Sequence, residues 1–205
     1  MEERLLSLLA QYRDVVKPLM ADMEVRSKDG KIPTNCLNEV RAMNDHIARC
    51  YRKERTDKDN EMELIKAEGH LTRLIFDCFK QLNIYLYDKI ESKEKIYYSS
   101  LWLYWDNGDF WRKYKETRIN ARYASIEAKK KESEDQLYAM KKYEEAYCNY
   151  CMLERMLNEK TGALRKSFCY KWICFAFSGF RWLISTFLLS LIASGIAWII
   201  AHIGS

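Results

Sequence analysis

Apolar side chains recur every three or four positions through most of this chain, the period of a helix that buries one face. Leu5, Leu9, Tyr12, Val16, Leu19 and Met23 form the first such stripe and predict a helix over about residues 2–26. Pro18 lies inside it. Proline has no N–H, and its ring collides with the carbonyl four residues back, so a kink or an early stop is expected near Lys17. The stretch SKDGKIPTN, Ser27 to Asn35, breaks the period with Gly30 and Pro33 and offers Thr34 or Asn35 as a helix cap. A second helix is predicted over about Cys36–Arg55, its stripe being Leu37, Val40, Asn44, Ile47 and Tyr51. The third, about Asn60–Ile90, carries Leu64, Leu71, Ile75, Cys78, Phe79, Leu82 and Tyr85. A fourth covers about Glu94–Lys131 with a turn at Asp106-Asn107-Gly108-Asp109, and a fifth runs from about Glu132 to Gly162 through Met140, Tyr143, Tyr147, Tyr150, Leu153 and Leu157. No window alternates with period two, and no internal repeat or low-complexity tract is found. The expected fold class is all-α, a bundle of long helices.

The pattern then changes character. Leu183 to Ile203 reads LISTFLLSLIASGIAWIIAHI, with no Asp, Glu, Lys or Arg, and none of these occurs anywhere after Arg181. About 20 apolar residues cover a hydrocarbon core of roughly 30 Å, so a transmembrane helix is predicted over residues 183–203. Arg165, Lys166, Lys171 and Arg181 precede it. The positive-inside rule therefore places the N-terminal domain, residues 1–165, in the cytoplasm and the C-terminus across the membrane, a single pass in the bacterial inner membrane. Residues 166–182 contain FCYKWICFAFSGFRW, whose aromatic and basic side chains suit the headgroup level. Within the span, Thr186, Ser190, Ala193, Ser194 and Ala197 fall along one stripe, each three or four positions from another member. Small and hydroxyl-bearing stripes let helices approach in lipid, which makes these the candidate contact or pore-facing positions of a homo-oligomer.

Composition agrees with helices and excludes much chemistry. The 205 residues include only 7 Gly and 2 Pro, and 34 Lys and Arg stand against 29 Asp and Glu, a net charge of +5. Mean hydropathy is −0.43, an average that conceals the apolar tail. Seven cysteines in a cytoplasmic chain do not predict disulfides. Cys148 and Cys151 form a CxxC without a second short-spaced pair in a turn, so thiols are expected as small apolar packing groups and no metal or other cofactor is expected. Three histidines, His46, His70 and His202, leave little scope for imidazole catalysis, and no phosphate-binding glycine loop or nucleophile elbow occurs.

One polar constellation stands out. Asn44 falls in the apolar stripe of the second helix, and a buried amide needs hydrogen-bonding partners. Glu39, Arg41, Asn44 and His46, joined by His70 with Arg73 from the third helix, are therefore the candidate structural polar network. Arg41 and His46 form R-x4-H within NEVRAMNDHI, Asn38 to Ile47. A five-residue step turns a helix by about 140°, so the two side chains do not share a face of one straight helix. The motif resembles the signature of the HEPN superfamily, small α-helical proteins many of which are metal-independent ribonucleases. That resemblance implies an Arg and a His that meet across a dimer interface to stabilise phosphorane charge and move protons.

Together with the chain length and the predicted span, the motif makes the protein look like the membrane-associated HEPN-like accessory family of type VI-B CRISPR systems. The resemblance implies antiviral defence: a homo-oligomeric membrane pore that depolarises the inner membrane and enhances interference by an RNA-guided, RNA-targeting effector. A membrane-anchored HEPN-type ribonuclease and an inactive membrane-tethered adaptor are the alternatives. RNA contact, the weaker expectation, would fall on Arg112, Lys113, Lys115, Arg118 and Arg122, interleaved with aromatics in FWRKYKETRINARY.

Overall fold

The computed structural model describes residues 2–52, 56–97 and 108–203, the side chains at 96–97, 160–172, 178, 195 and 197–203 excepted. Asp106 and Asn107 of the expected turn, and the side chains of Arg165, Lys166, Cys169, Lys171, Ala197 and His202, lie outside the described residues. The described chain is helical, without a strand: α1 (Glu2–Gln11), a π-turn (Tyr12–Val16), α2 (Lys17–Arg26), α3 (Thr34–Arg49), α4 (Asp57–Tyr97), α5 (Asp109–Lys131) and α6 (Gln136–Ile203).

Pro18 does not stop the helix at Lys17. The turn before it widens, so that Lys17 N–H donates to the Tyr12 carbonyl five residues back, and the helix resumes with Pro18 in the first turn of α2, where no donor is needed. The widened turn holds one residue more than an α-turn and rotates everything upstream. Leu8 is therefore buried, and Leu9, expected in the stripe, is exposed.

Gly30 adopts the left-handed φ of 66° in the loop that follows, and Pro33 rather than Thr34 or Asn35 stands at the cap of α3. Asn35 instead donates to Asp77 of α4, 3.0 Å away. The buried face of α3 is Cys36, Met43 and Cys50, supported by Val40 and Ile47. That is a stripe rotated from the expected one, leaving Leu37 and Tyr51 exposed.

No break separates the third and fourth expected helices near Glu91. Helix-compatible residues continue α4 to Tyr97, and Glu94 is held by the Tyr114 hydroxyl at 2.8 Å and Arg118 at 2.8 Å, both from α5. α4 is the central helix, with Leu64, Ala67, Leu71, Leu74, Cys78, Leu82, Leu86 and Ile90 buried along it. At about 1.5–3 kcal/mol for each large side chain, this row supplies a major share of the stability.

α5 enters at Gly108, φ 85°, and returns as α6 in an antiparallel hairpin. Phe110, Tyr114, Thr117, Ala121, Ala124 and Ala128 of α5 face Ala139, Tyr143, Ala146, Tyr150, Leu153 and Leu157 of α6, each row at alternating spacings of four and three. This is a coiled-coil seam in which alanine brings the two backbones close.

α2 is tied to the hairpin by charge. Arg26 Nε meets both Asp22 oxygens at 2.8 Å and its Nη1 meets Glu154 at 2.7 Å, while Lys89 reaches Glu154 at 2.8 Å. The Tyr147 hydroxyl donates to Asp22 at 2.8 Å. Burial holds that phenol well above the ordinary tyrosine range, so it remains the donor.

Candidate functional site

The α3–α4 pairing builds the polar site. The helices run antiparallel, and each carries the same three residues at the same spacing: Glu39, His46 and Arg49 on α3, and Glu63, His70 and Arg73 on α4. Steps of seven and three keep all three on one helix face. Antiparallel packing then pairs them reciprocally. His46 Nδ1 lies 2.6 Å from Glu63 Oε2, and His70 Nδ1 lies 2.7 Å from Glu39 Oε2. Arg49 approaches Glu63 at 3.7 Å, and Arg73 Nε approaches Glu39 at 3.2 Å. The two imidazoles stack between the pairs, ring centroids 5.1 Å apart and planes 21° from parallel.

Electrostatics fixes the tautomer. Glu63 is only 7% exposed, and the hydrogen bond from His46, aided by Lys66 at 3.3 Å, brings its carboxyl down to about 2 against the opposing effect of desolvation. It is thus an ionised acceptor, and His46 Nδ1 must carry the proton. His70 Nδ1, 2.7 Å from Glu39 Oε2, is placed to donate to that carboxylate. Arg73 Nη2, 2.9 Å from that nitrogen, is then a close polar contact on the ring rather than a second hydrogen bond.

Of the six expected network residues, the structure brings Glu39, His46, His70 and Arg73 together and leaves Arg41 and Asn44 on the exposed side of α3. The rotation of the buried stripe is the reason: with Met43 facing inward, Asn44 turns about 100° away. Arg41 and His46 do not meet within the chain. Glu63 and Arg49 were not anticipated. The repeated E-x6-H-x2-R spacing is the signal that identifies them, and with three matching positions it is too sparse to register as a repeat.

Chemically, two histidines oriented by carboxylates resemble a general acid–base pair. Here both Nδ1 atoms are engaged by carboxylates of the opposite helix, and the stacked rings add a further contact across the α3–α4 seam. The arrangement suits a clamp that fixes α3 on α4. Among the described residues, no group of three or more His, Cys, Asp or Glu is placed to hold a metal ion. Cys36, Cys50 and Cys78 are buried in the core, whereas Cys148 is exposed and Cys151 half-buried.

The five RNA-contact candidates do not form one free basic face. Arg112 pairs with Asp109 at 2.8 Å and Arg118 with Glu94, while Lys113, Lys115 and Arg122 are exposed on α5.

The second feature is the far half of α6. Ile173–Ser194 is long and apolar enough to cross a membrane, with mean hydropathy 1.6 over its best window, and 0% of that window is buried. It begins ahead of Leu183 and takes in the aromatic residues Phe175, Phe177, Phe180 and Trp182, all exposed. The helix backbone continues through residues 165–166 and 182–183. Thr186, Ser190, Ala193 and Ser194 are exposed along it, and the backbone at Ala197 is helical. Thr186 Oγ1 donates to the Trp182 carbonyl and Ser194 Oγ to that of Ser190, each at 2.8 Å, which satisfies both hydroxyl protons within the helix. No protein-family model matches the chain, and comparison with curated proteins and with solved structures finds no match.

Proposed function

We propose that this protein is an antiviral-defence accessory: a HEPN-like cytosolic bundle held at the bacterial inner membrane by one pass, whose copies assemble into an oligomeric pore. Opening of that pore depolarises the membrane and enhances interference by an RNA-guided, RNA-targeting CRISPR effector. The observation that carries the reading is the uncovered apolar stretch of α6. A helix of 22 residues with none of its apolar window buried needs a solvent other than water, and lipid plus neighbouring copies of itself provides one. Basic residues before the span and none after it support a cytosolic bundle. A single helix per copy perforates a bilayer only as one stave of a ring, so each copy needs a contact or lumen face. Thr186, Ser190, Ala193 and Ser194 are the residues suited to it.

The test is Ser190→Leu with Ser194→Leu, set against Leu188→Ile as control. Membrane potential is read in cells with a voltage-sensitive dye, and purified protein is incubated with labelled RNA in the absence of metal. The reading expects depolarisation by the natural protein and the control, loss of it in the serine variants, and intact RNA throughout. Depolarisation unchanged by both serine substitutions overturns this face as the pore lining. RNA cleavage that His46→Ala abolishes supports the anchored ribonuclease instead, and neither activity leaves the tethered adaptor.

A further inference from the structure

The α5–α6 hairpin has two outer faces that the fold leaves uncovered. Ala121 and Ala124 of α5 and Ala146 of α6 lie in the seam between the helices. Ile119 and Ile126 stand two residues from those α5 alanines, and Glu144 and Cys148 two residues from Ala146, a step of about 200° around a helix. Both sets therefore point away from the seam in opposite directions, one from the back of α5 and the other from the back of α6. The Tyr138 hydroxyl donates to Glu127 at 3.1 Å, which pins the register of the hairpin and sets the two faces at the same level along it.

The faces complement each other. On α5, Ile119, Tyr123 and Ile126 are exposed at spacings of four and three, the stripe that one helix presents to another. Lys115, Arg122 and Lys130, all exposed, flank that stripe and make it basic. On α6, Cys148 and Met152 are exposed beside the carboxylates of Glu144 and Glu145, with Lys141 and Arg155 at the two ends. Among the described residues, neither Arg122 nor Glu144 has an ion-pair partner in its own chain.

We propose that the back of α5 in one copy docks on the back of α6 in the next, which rests on the membrane-pore reading and names its cytosolic interface. Copies inserted in one bilayer carry α6 in the same direction, and rotation about the membrane normal leaves every residue at its height. α5 of one chain then meets α6 of its neighbour antiparallel and at matching level, as the two helices already meet within the chain. Ile119 lies against Cys148 and Met152, and Arg122 reaches the Glu144–Glu145 pair. Because the two faces differ and look in opposite directions, the contact repeats from chain to chain and makes a ring where the rotation closes. Docking α5 on α5 instead would set Arg122 and its neighbouring lysines against their own kind, and RNA offers the two isoleucines no apolar partner.

The experiment uses the full-length protein in its membrane. Ile119→Cys is placed opposite the natural exposed thiol of Cys148, and oxidation by copper–phenanthroline is followed on non-reducing gels. The expected result is a ladder of dimers, trimers and longer species that disappears when Cys148→Ser is added. In detergent, Arg122→Glu should lower the particle mass seen by light scattering, and Glu144→Lys with Glu145→Lys in that background should restore it. All of these positions are exposed, and circular dichroism confirms folding. A multi-chain particle that gives no ladder, or a ladder that stops at dimers, overturns this interface and leaves the pore reading standing. One chain per micelle in the natural protein overturns both. Labelled RNA whose binding is lost in Arg122→Glu while the particle mass stays unchanged assigns the α5 face to RNA and overturns the proposal.

Discussion

Replacing Arg26 with methionine removes a charge that ties α2 to α6. Methionine retains the length of the aliphatic stem, so the change isolates the guanidinium. In the native protein Arg26 is 16% exposed and its partner Glu154 12% exposed. Breaking a fully buried pair costs about 3–5 kcal/mol, and an exposed pair contributes about 0–1 kcal/mol. This site lies nearer the buried limit, but Lys89 remains to hold Glu154 and the Tyr147 hydroxyl to hold Asp22, which places the loss at about 2–3 kcal/mol. For a bundle of this size that corresponds to a melting temperature lower by about 5–10 °C, followed by circular dichroism in detergent. In a Glu154→Gln background the same substitution should cost about 1 kcal/mol less, because the stranded carboxylate is gone. A shift below about 2 °C, or full additivity of the two changes, would refute the view that this cluster fastens α2 to α6.

Two further perturbations probe other seams. Acid should weaken the α3–α4 clamp: the depressed Glu63 carboxyl contributes stability fully above its unfolded value of 4.5, and that share is lost as pH falls from 4.5 toward about 2. Melting temperature should therefore fall across this window, and Glu63→Gln should flatten the slope; an identical slope in the variant would contradict the assignment. Ala124→Leu inserts bulk where α5 and α6 approach through alanine and should cost about 1–3 kcal/mol in chemical denaturation, with a neutral outcome showing that the seam is loose.

The helical class and the apolar tail were legible in the sequence because each rests on a local period or a long uniform run. Helix phase was harder to read. Around Asn44 the obvious apolar letters pointed to one face of α3, yet Cys36, Met43 and Cys50 outcompeted Leu37 and Tyr51 for the interior. A thiol and a thioether pack into narrow spaces that a branched or aromatic side chain does not fit. Near Leu8, one extra residue in the π-turn ahead of Pro18 turned the stripe by a position, a backbone adjustment that no pattern of letters reveals.

The polar cluster was half legible. Glu39, His46, His70 and Arg73 were expected together, but their pairing with Glu63 and Arg49 follows from the antiparallel register of α3 and α4. The opposed outer faces of α5 and α6 were not legible, since their relation follows from the antiparallel register of the hairpin.

The proposed meeting of copies through the uncovered stretch of α6 is tested most directly by the mass of the detergent-solubilised particle. Light scattering with the detergent contribution subtracted should give a discrete multiple of 24.5 kDa large enough for a ring of helices, reduced by Ser190→Leu with Ser194→Leu. A protein mass of 24.5 kDa, one chain per micelle at every concentration, would contradict the pore and leave the helix as an anchor.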